Sequence, residues 1–158
     1  MLKLWGRANS SNLKKVRWLC EEISLPYERI DAGMSFGVVN TPEYRKLNSN
    51  GLVPTIDDDG FILWESNAIV RYLAAKHAAG TFWPTDLKLR ADADRWMDWC
   101  TSMLWPAFRP VFLGLVRTAP ERRNLKEIED EGESYERIED IWPDYPTKDD
   151  FFFHEDEY

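Results

Sequence analysis

The chain has 158 residues, of which 44% are hydrophobic, and a formal net charge of −8. This length suits one full domain, or one small domain followed by an incomplete second one. No stretch approaches the ~18 apolar residues of a membrane span. The first residues also lack the basic and apolar regions of a signal peptide, so we expect a cytoplasmic protein. Only Cys20 and Cys100 occur, which argues against a disulfide framework and against a metal site of the zinc type.

The negative charge is concentrated at the C-terminal end. Residues 127–158 contain fourteen acidic residues against Arg137 and Lys148, a net charge of −12, so residues 1–126 carry +4. That small excess gives no indication of a nucleic-acid or membrane partner. Aromatic residues alternate with the acids of 127–158, and such a composition does not readily build a core. We expect a disordered acidic tail, a segment that folds against the first 120 residues, or a peptide that a partner recognises.

The first predicted elements are a strand over Leu2–Trp5 and an amphipathic helix. Apolar residues recur at helical spacing, which indicates one buried face; they are Leu13, Val16, Leu19, Cys20 and Ile23. Ser10, Ser11 or Asn12 should cap this helix. A second strand over Pro26–Ile30 and a short helix starting at Thr41-Pro42 follow.

A hairpin comes next, with predicted strands over Val53–Ile56 and Phe61–Trp64. The turn Asp57-Asp58-Asp59-Gly60 joins them, and Asp59-Gly60 should supply the positive φ angles. Pro54 has no amide hydrogen for a ladder, so we expect it at a strand start or edge, with a cis bond after Val53.

A third helix is predicted to begin near Ser66 and to end by Ala79-Gly80. Ser66 or a neighbouring residue should cap it. A helix start has unpaired N–H groups and a positive dipole end, which suit a carboxylate. Backbone groups at Val53, the hydroxyl of Ser66 and the acid of Glu65 could together hold a peptide-like ligand that carries both an ammonium and a carboxylate.

A second helical region starts at Leu87, and Pro106 and Pro110 should kink or end it. Its aromatic residues could line an apolar pocket or form ordinary core. They include Trp105, Phe108 and Phe112, with Leu113 beside them.

Two stretches carry a family resemblance. Asn-Gly-Leu-Val-Pro-Thr at 50–55 and Leu-Trp-Glu-Ser-Asn-Ala-Ile at 63–69 resemble the glutathione site of the glutathione S-transferase family, in its bacterial, theta-like, serine-type form. Read without the resemblance, they are turn and cap residues of some α/β protein. The resemblance implies a thioredoxin-like α/β domain over 1–80, with βαβ then ββα order. A linker over 81–86 and a partial all-α C-terminal domain over 87–126 would follow, shortened by about eighty residues, and the tail 127–158 has no counterpart that we recognise.

The same resemblance implies an enzyme that activates the thiol of glutathione for addition to an electrophile or for thiol exchange. Ser10 would act on the thiol, and Ser11 or Asn12 could share or replace that role; the alternative is that all three only cap the helix. Val53, Pro54, Glu65 and Ser66 would bind glutathione, the co-substrate. The partners implied are a small-molecule electrophile and a second copy of the chain in a homodimer. The rival interpretation is a non-catalytic binding or interaction module with the same fold.

Overall fold

A computed structural model describes residues 1–126, and the chain divides into two compact units, the first being Met1–Ala93. Up to His77 the first unit contains four strands and three α-helices: β1 (Leu2–Trp5), α1 (Ser11–Glu22), β2 (Tyr27–Ile30), α2 (Pro42–Leu47), β3 (Thr55–Asp58), β4 (Phe61–Trp64) and α3 (Ser66–His77). This βαβ then ββα order confirms the predicted thioredoxin-like domain. The tail and the packing of its aromatic residues lie outside the described residues, and the predicted domain boundaries stay predictions.

The four strands form one sheet in the order β2-β1-β3-β4. β1 runs parallel to β2 and antiparallel to β3, and β3 runs antiparallel to β4. Trp5 lies opposite both Ile30 and Thr55, and Thr55 in turn lies opposite Trp64. The ends of β1, β2 and β4 and the beginning of β3 therefore lie at the same end of the sheet, which we call the loop end.

The core of this unit lies between the sheet and two helices that pack on it, α1 and α3. Leu4 in β1 and Ile56 in β3 are fully buried in it. Both lie on the core face of the sheet, to which alternate residues of each strand point. The predicted apolar stripe of α1 is buried from Leu13 to Cys20, as expected. This packing holds the first turns of both helices against the loop end of the sheet.

The hairpin differs from its prediction at its first strand. β3 starts at Thr55 rather than Val53, because Pro54 has no N–H to donate and ladder pairing begins after it. It also reaches Asp58, so the turn is only Asp59-Gly60, with φ of 52° and 94°. The predicted source of the positive φ angles is thus confirmed. β3 is an interior strand and not an edge strand.

The second helical region begins with α4 (Leu87–Trp99), as predicted, and continues through α5 (Trp105–Phe112). Wide i→i+5 turns at Cys100–Leu104 and Leu113–Arg117 flank α5. The helix does not end at Pro106 or at Pro110, which lies inside α5. The wide turn at Cys100–Leu104 can take up the clash between the ring of Pro106 and the preceding turn. Trp105, Phe108 and Phe112 contact one another, with ring centroids 5.7–6.1 Å apart. Whether they line a pocket stays a prediction.

Membrane-spanning helices and metal-binding clusters are both absent from the described part of the chain. No helix within residues 1–126 is long and apolar enough to cross a membrane. The same residues contain no group of three or more His, Cys, Asp or Glu side chains placed to hold a metal ion.

Cys20 and Cys100 are both free thiols. Burial raises the pKa of Cys20 to about 11, so this thiol stays protonated at neutral pH and is a packing residue.

Leu4 tests the core of this unit, because it is fully buried in β1. Leu4→Ala should lower the free energy of unfolding by ~2–5 kcal/mol, the range for a buried leucine that leaves a cavity. Urea denaturation followed by circular dichroism measures this loss. The exposed Leu89→Ala serves as control and should change the free energy by ~0.5 kcal/mol or less. Equal effects of the two changes would contradict the assigned core.

Asp58 ties the hairpin to α3. Its Oδ2 accepts hydrogen bonds from Lys76 Nζ at 2.5 Å and from the Tyr72 hydroxyl at 2.6 Å. The bond from Lys76 lowers the pKa of the Asp58 carboxyl most, and the bond from Tyr72 lowers it further. The ionised carboxylate therefore stabilises the folded state.

The depressed pKa of Asp58 predicts how stability depends on pH. Its contribution is fully present above the unfolded-state pKa of 3.8 and is lost as the pH falls through the lower pKa of the folded state. Asp58→Asn should reduce this acid-side loss of unfolding free energy, as measured by urea denaturation at several pH values. The exposed Asp59→Asn is the control. An unchanged pH dependence in Asp58→Asn would show that the carboxylate contributes nothing.

Candidate functional site

Three groups of candidate residues meet at the loop end although they are far apart in sequence. The segment that holds Ser10 follows β1, Val53-Pro54 precedes β3, and Glu65-Ser66 follows β4. Trp5, Thr55 and Trp64 lie opposite one another in neighbouring strands, so these three segments leave the sheet side by side. The strand register thus brings the predicted site residues together.

Ser10 occupies the N-cap position of α1. Its Oγ accepts a hydrogen bond from the N–H of Leu13 at 3.4 Å, and the residue is only 5% exposed. Capping uses a lone pair of the oxygen, so the hydroxyl hydrogen can be donated to a ligand. Gly6 makes the tight entry possible, because a Cβ there would lie 2.8 Å from Leu13 Cδ1. The prediction that one of three polar residues caps this helix is confirmed for Ser10.

Ser11 and Asn12, the other two candidates, are exposed and form the first turn of α1. Their side chains do not supply the cap, since Ser10 does so. The first N–H groups of a helix have no acceptor within the helix, so this turn presents donors to the loop end. Any role of Ser11 or Asn12 beyond this backbone contribution stays a prediction.

Val53 and Pro54 precede β3 at the loop end, and the bond between them is cis, as predicted. Pro54 is buried and Val53 is half-buried. A Cβ on Gly33 would lie 3.6 Å from Val53 Cγ2 and 3.3 Å from Arg7 Nη1, so the loop after β2 also reaches this point. Pro54 was expected at a strand start or edge, and it directly precedes the start of β3, which is an interior strand; Val53 therefore lies outside the ladder.

Glu65 and Ser66 form the start of α3. Ser66 is the first helical residue and is 6% exposed, whereas the N-cap position belongs to Glu65. The carboxylate of Glu65 makes no cap hydrogen bond and is exposed, and its backbone has φ 74° and ψ 112°. A positive φ is unfavourable for any side chain other than glycine, and such residues cluster at functional sites. The predicted cap was Ser66 or a neighbouring residue, and the neighbour Glu65 occupies the N-cap position.

The starts of α1 and α3 lie next to each other. Lys15 Nζ, one turn into α1, donates a hydrogen bond to Asn67 Oδ1 in the first turn of α3 at 3.1 Å. The two helices also pack along their length. Ser10 and Ser66 are thus on the same side of the unit. Since both helices begin here, two positive dipole ends converge on one region, which favours a bound anion.

Comparison with known proteins agrees with this geometry. The family model of the N-terminal domain of glutathione S-transferase matches residues 1–75. Glutathione S-transferase GstB of Escherichia coli (strain K12) is 49% identical over 131 residues, which cover 82% of this chain and 63% of that protein. The theta class glutathione S-transferase of the citrus canker pathogen Xanthomonas axonopodis pv. citri, solved with glutathione bound, is 44% identical with a TM-score of 0.82; the match covers 90% of this chain and 70% of that one.

The chain therefore belongs to the glutathione S-transferase family. Glutathione S-transferase 1 of Manduca sexta is also similar, with 35% identity over 128 residues, or 77% of this chain and 59% of that protein. The chain spans about 63% of the length of GstB.

Sequence reasoning missed three buried polar residues beside Val53. Tyr44 and Asn48 come from α2 and the residue after it, and Thr55 starts β3; each is at most 2% exposed. The spacing of Tyr44 and Asn48 puts them on one face of a helix, which was a usable signal. Their partner across the chain, Thr55, could not be found without the fold.

The backbone of Glu65 generates a prediction about strain. Glu65→Gly should be more stable than Glu65→Ala by ~1 kcal/mol, because glycine has no Cβ to clash at positive φ. Urea denaturation of the two variants measures the difference. Ala68, which lies within α3, is the control, and there the glycine variant should be less stable than the parent. If Glu65→Gly were the less stable of the pair, the backbone at Glu65 would not be strained.

Proposed function

We propose that this chain binds glutathione at the loop end and activates its thiol for transfer to an electrophile or for thiol exchange. The observation that carries the proposal is the convergence of two helix starts with the backbone at Val53. Glutathione is a peptide with an ammonium, two carboxylates and a thiol, so it needs donors, an acid and a backbone partner in one place. The bound glutathione in the similar theta class structure supports the same ligand.

The γ-glutamyl end belongs at the start of α3. Its carboxylate would accept hydrogen bonds from the Ser66 hydroxyl and from the first N–H groups of the helix. Its ammonium would pair with the exposed carboxylate of Glu65, which the strained backbone holds beside Ser66. The two charges of one amino-acid end are thus matched by two adjacent residues.

The cysteinyl part belongs at Val53. Since Val53 lies outside the ladder, its N–H and C=O can pair with the peptide groups of the ligand, as strands pair in a sheet. Pro54 shapes this segment and has no N–H of its own to contribute. This pairing directs the ligand sulfur toward the start of α1.

Ser10 would then stabilise the thiolate. A free thiol of this type has a pKa of ~8.5, so little of it is ionised at neutral pH, and only the thiolate is a strong nucleophile. The Ser10 hydroxyl can donate to sulfur while its oxygen caps α1, and the helix start adds positive potential. Lowering the pKa by ~2 units requires ~2.7 kcal/mol of preferential stabilisation, which a charged hydrogen bond and a helix dipole can supply together.

The broader features of this proposal follow the family. We propose a small-molecule electrophile as second substrate, a homodimer as the working assembly, and the cytoplasm as its location. A non-catalytic module that binds glutathione is the second candidate. It is favoured by the described residues 87–126, none of which is buried, because an apolar substrate pocket needs enclosed walls.

Ser10→Ala tests the catalytic role. Turnover of glutathione with a generic aryl halide should fall ~100-fold in kcat, the factor that ~2.7 kcal/mol gives. Retention on immobilised glutathione should persist, since Ser10 acts on the sulfur and not on the ligand ends. The apparent pKa in the rate profile should rise from ~6.5 toward ~8.5, the value of a free thiol.

Ser11→Ala is the matched control, since it removes a neighbouring hydroxyl that makes no cap. It should leave both the rate and the pH profile close to the parent. Binding by the parent chain without turnover would favour the non-catalytic candidate. Equal losses in Ser10→Ala and Ser11→Ala would refute the assignment to Ser10, and no retention of the parent on glutathione would refute the proposed function.

A further inference from the structure

A closed ring of hydrogen bonds includes Leu52 and Thr55, the two residues that flank Val53 and Pro54 in the chain. The Tyr44 hydroxyl donates to the carbonyl oxygen of Leu52 at 2.6 Å and is 2.8 Å from Thr55 Oγ1. Asn48 Nδ2 donates to the same carbonyl at 3.0 Å and to Thr55 Oγ1 at 3.1 Å. Two side chains from the α2 region therefore hold the two residues that flank Val53-Pro54.

The direction of every bond in this ring is determined. Tyr44 has one hydroxyl hydrogen, which the Leu52 carbonyl accepts, so Thr55 must donate its own hydrogen to the oxygen of Tyr44. The Thr55 oxygen in turn accepts from Asn48, whose amide has two hydrogens for its two bonds. Burial raises the pKa of Tyr44, which keeps its hydroxyl protonated as a donor. Each donor in the ring thus has an acceptor.

The side chains of Asn48 and Arg45 hold the loop between Asn48 and Leu52 through hydrogen bonds to its backbone. Asn48 Oδ1 accepts a hydrogen bond from the N–H of Asn50 at 3.0 Å, and Arg45 Nη1 donates to the carbonyl of Ser49 at 2.6 Å. A Cβ on Gly51, whose φ is 62°, would lie 2.5 Å from Arg45 Cζ, so the guanidinium packs on the loop backbone. The segment leading to Val53 has little freedom independent of α2.

We infer that Tyr44, Asn48 and Thr55 are positioning residues for the glutathione site, acting through the backbone of Val53. This inference rests on the proposed function, because the group they position is the one assigned to the cysteinyl part of the ligand. None of the three touches the ligand in this account. They determine where the peptide groups of Val53 point, and hence how tightly the ligand backbone is held.

A positioning role predicts a specific change in the kinetic constants KM and kcat. Pairing with Val53 is made equally in the bound ground state and in the transition state, so loosening it raises KM and leaves kcat largely unchanged. A purely structural role lowers the fraction of folded enzyme instead. That reduces apparent kcat and leaves KM as it was.

Tyr44→Phe tests the inference by deleting one hydroxyl from the ring. The KM for glutathione should rise about tenfold, which corresponds to ~1.4 kcal/mol. The matched control is Tyr72→Phe, which deletes a hydroxyl that donates to Asp58 at the same distance of 2.6 Å. Tyr72 lies in α3 and takes no part in the ring, so its variant should keep the parental KM.

Thr55 supplies a second variant if Tyr44→Phe does not fold. Thr55→Val removes the ring hydroxyl from the strand side while keeping the side-chain shape, and should raise KM in the same way. Thr55→Ser keeps the hydroxyl and should restore a KM close to that of the parent. A rise in KM for Thr55→Val and Thr55→Ser alike would show that packing, not the ring, is responsible, and would overturn the inference.

Amide hydrogen exchange in the absence of ligand separates this inference from the proposed function. Tyr44→Phe should speed exchange at the amides of Gly51, Leu52, Val53 and Thr55 and leave the amides of α3 as in the parent. A parent chain that does not bind glutathione would refute the proposed function, while the exchange pattern would still decide whether the ring holds this segment. If the parent turns over glutathione, an unchanged KM in Tyr44→Phe would overturn the inference, and so would unchanged exchange at the amides of Gly51, Leu52, Val53 and Thr55.

Discussion

The pairing of β3 with its two neighbours is the constraint on which the rest of the structure depends. Thr55 lies opposite Trp5 on one side and Trp64 on the other, so three distant segments leave the sheet at one level. A shift of one residue in either ladder would turn alternate side chains from the core to solvent. Ile56 is fully buried, so the core itself selects the register that aligns the site.

The same interactions serve both folding and the proposed chemistry. Ser10 ends the loop after β1 and satisfies a backbone N–H of α1, and its hydroxyl hydrogen is still available to a ligand sulfur. The start of α3 is fixed by packing against α1, and it presents Ser66 beside the strained Glu65. Because helix starts need polar partners in any case, a site built from two of them requires few additional residues.

The order of elements and the turn and helix starts around the candidate site could be predicted from the sequence, because they depend on local patterns, whereas the roles proposed for the site residues come from the family resemblance. The apolar stripe of α1, the Asp59-Gly60 turn and the cap at the start of α1 each reflect a short-range rule. The start of β3 was misplaced because the apolar character of Val53 suggested a strand, whereas the missing N–H of Pro54 delays the ladder. The Tyr44–Thr55 contact joins residues from different elements, so no local pattern could reveal it.

The central claim is that one ligand connects the starts of α1 and α3 through the backbone of Val53. A crystal structure of the protein grown with glutathione tests this most directly. We expect peptide hydrogen bonds between the cysteinyl part and Val53, the γ-glutamyl end at Glu65 and Ser66, and the sulfur within hydrogen-bonding distance of Ser10 Oγ. Glutathione bound elsewhere, or bound here with its sulfur directed away from Ser10, would contradict it.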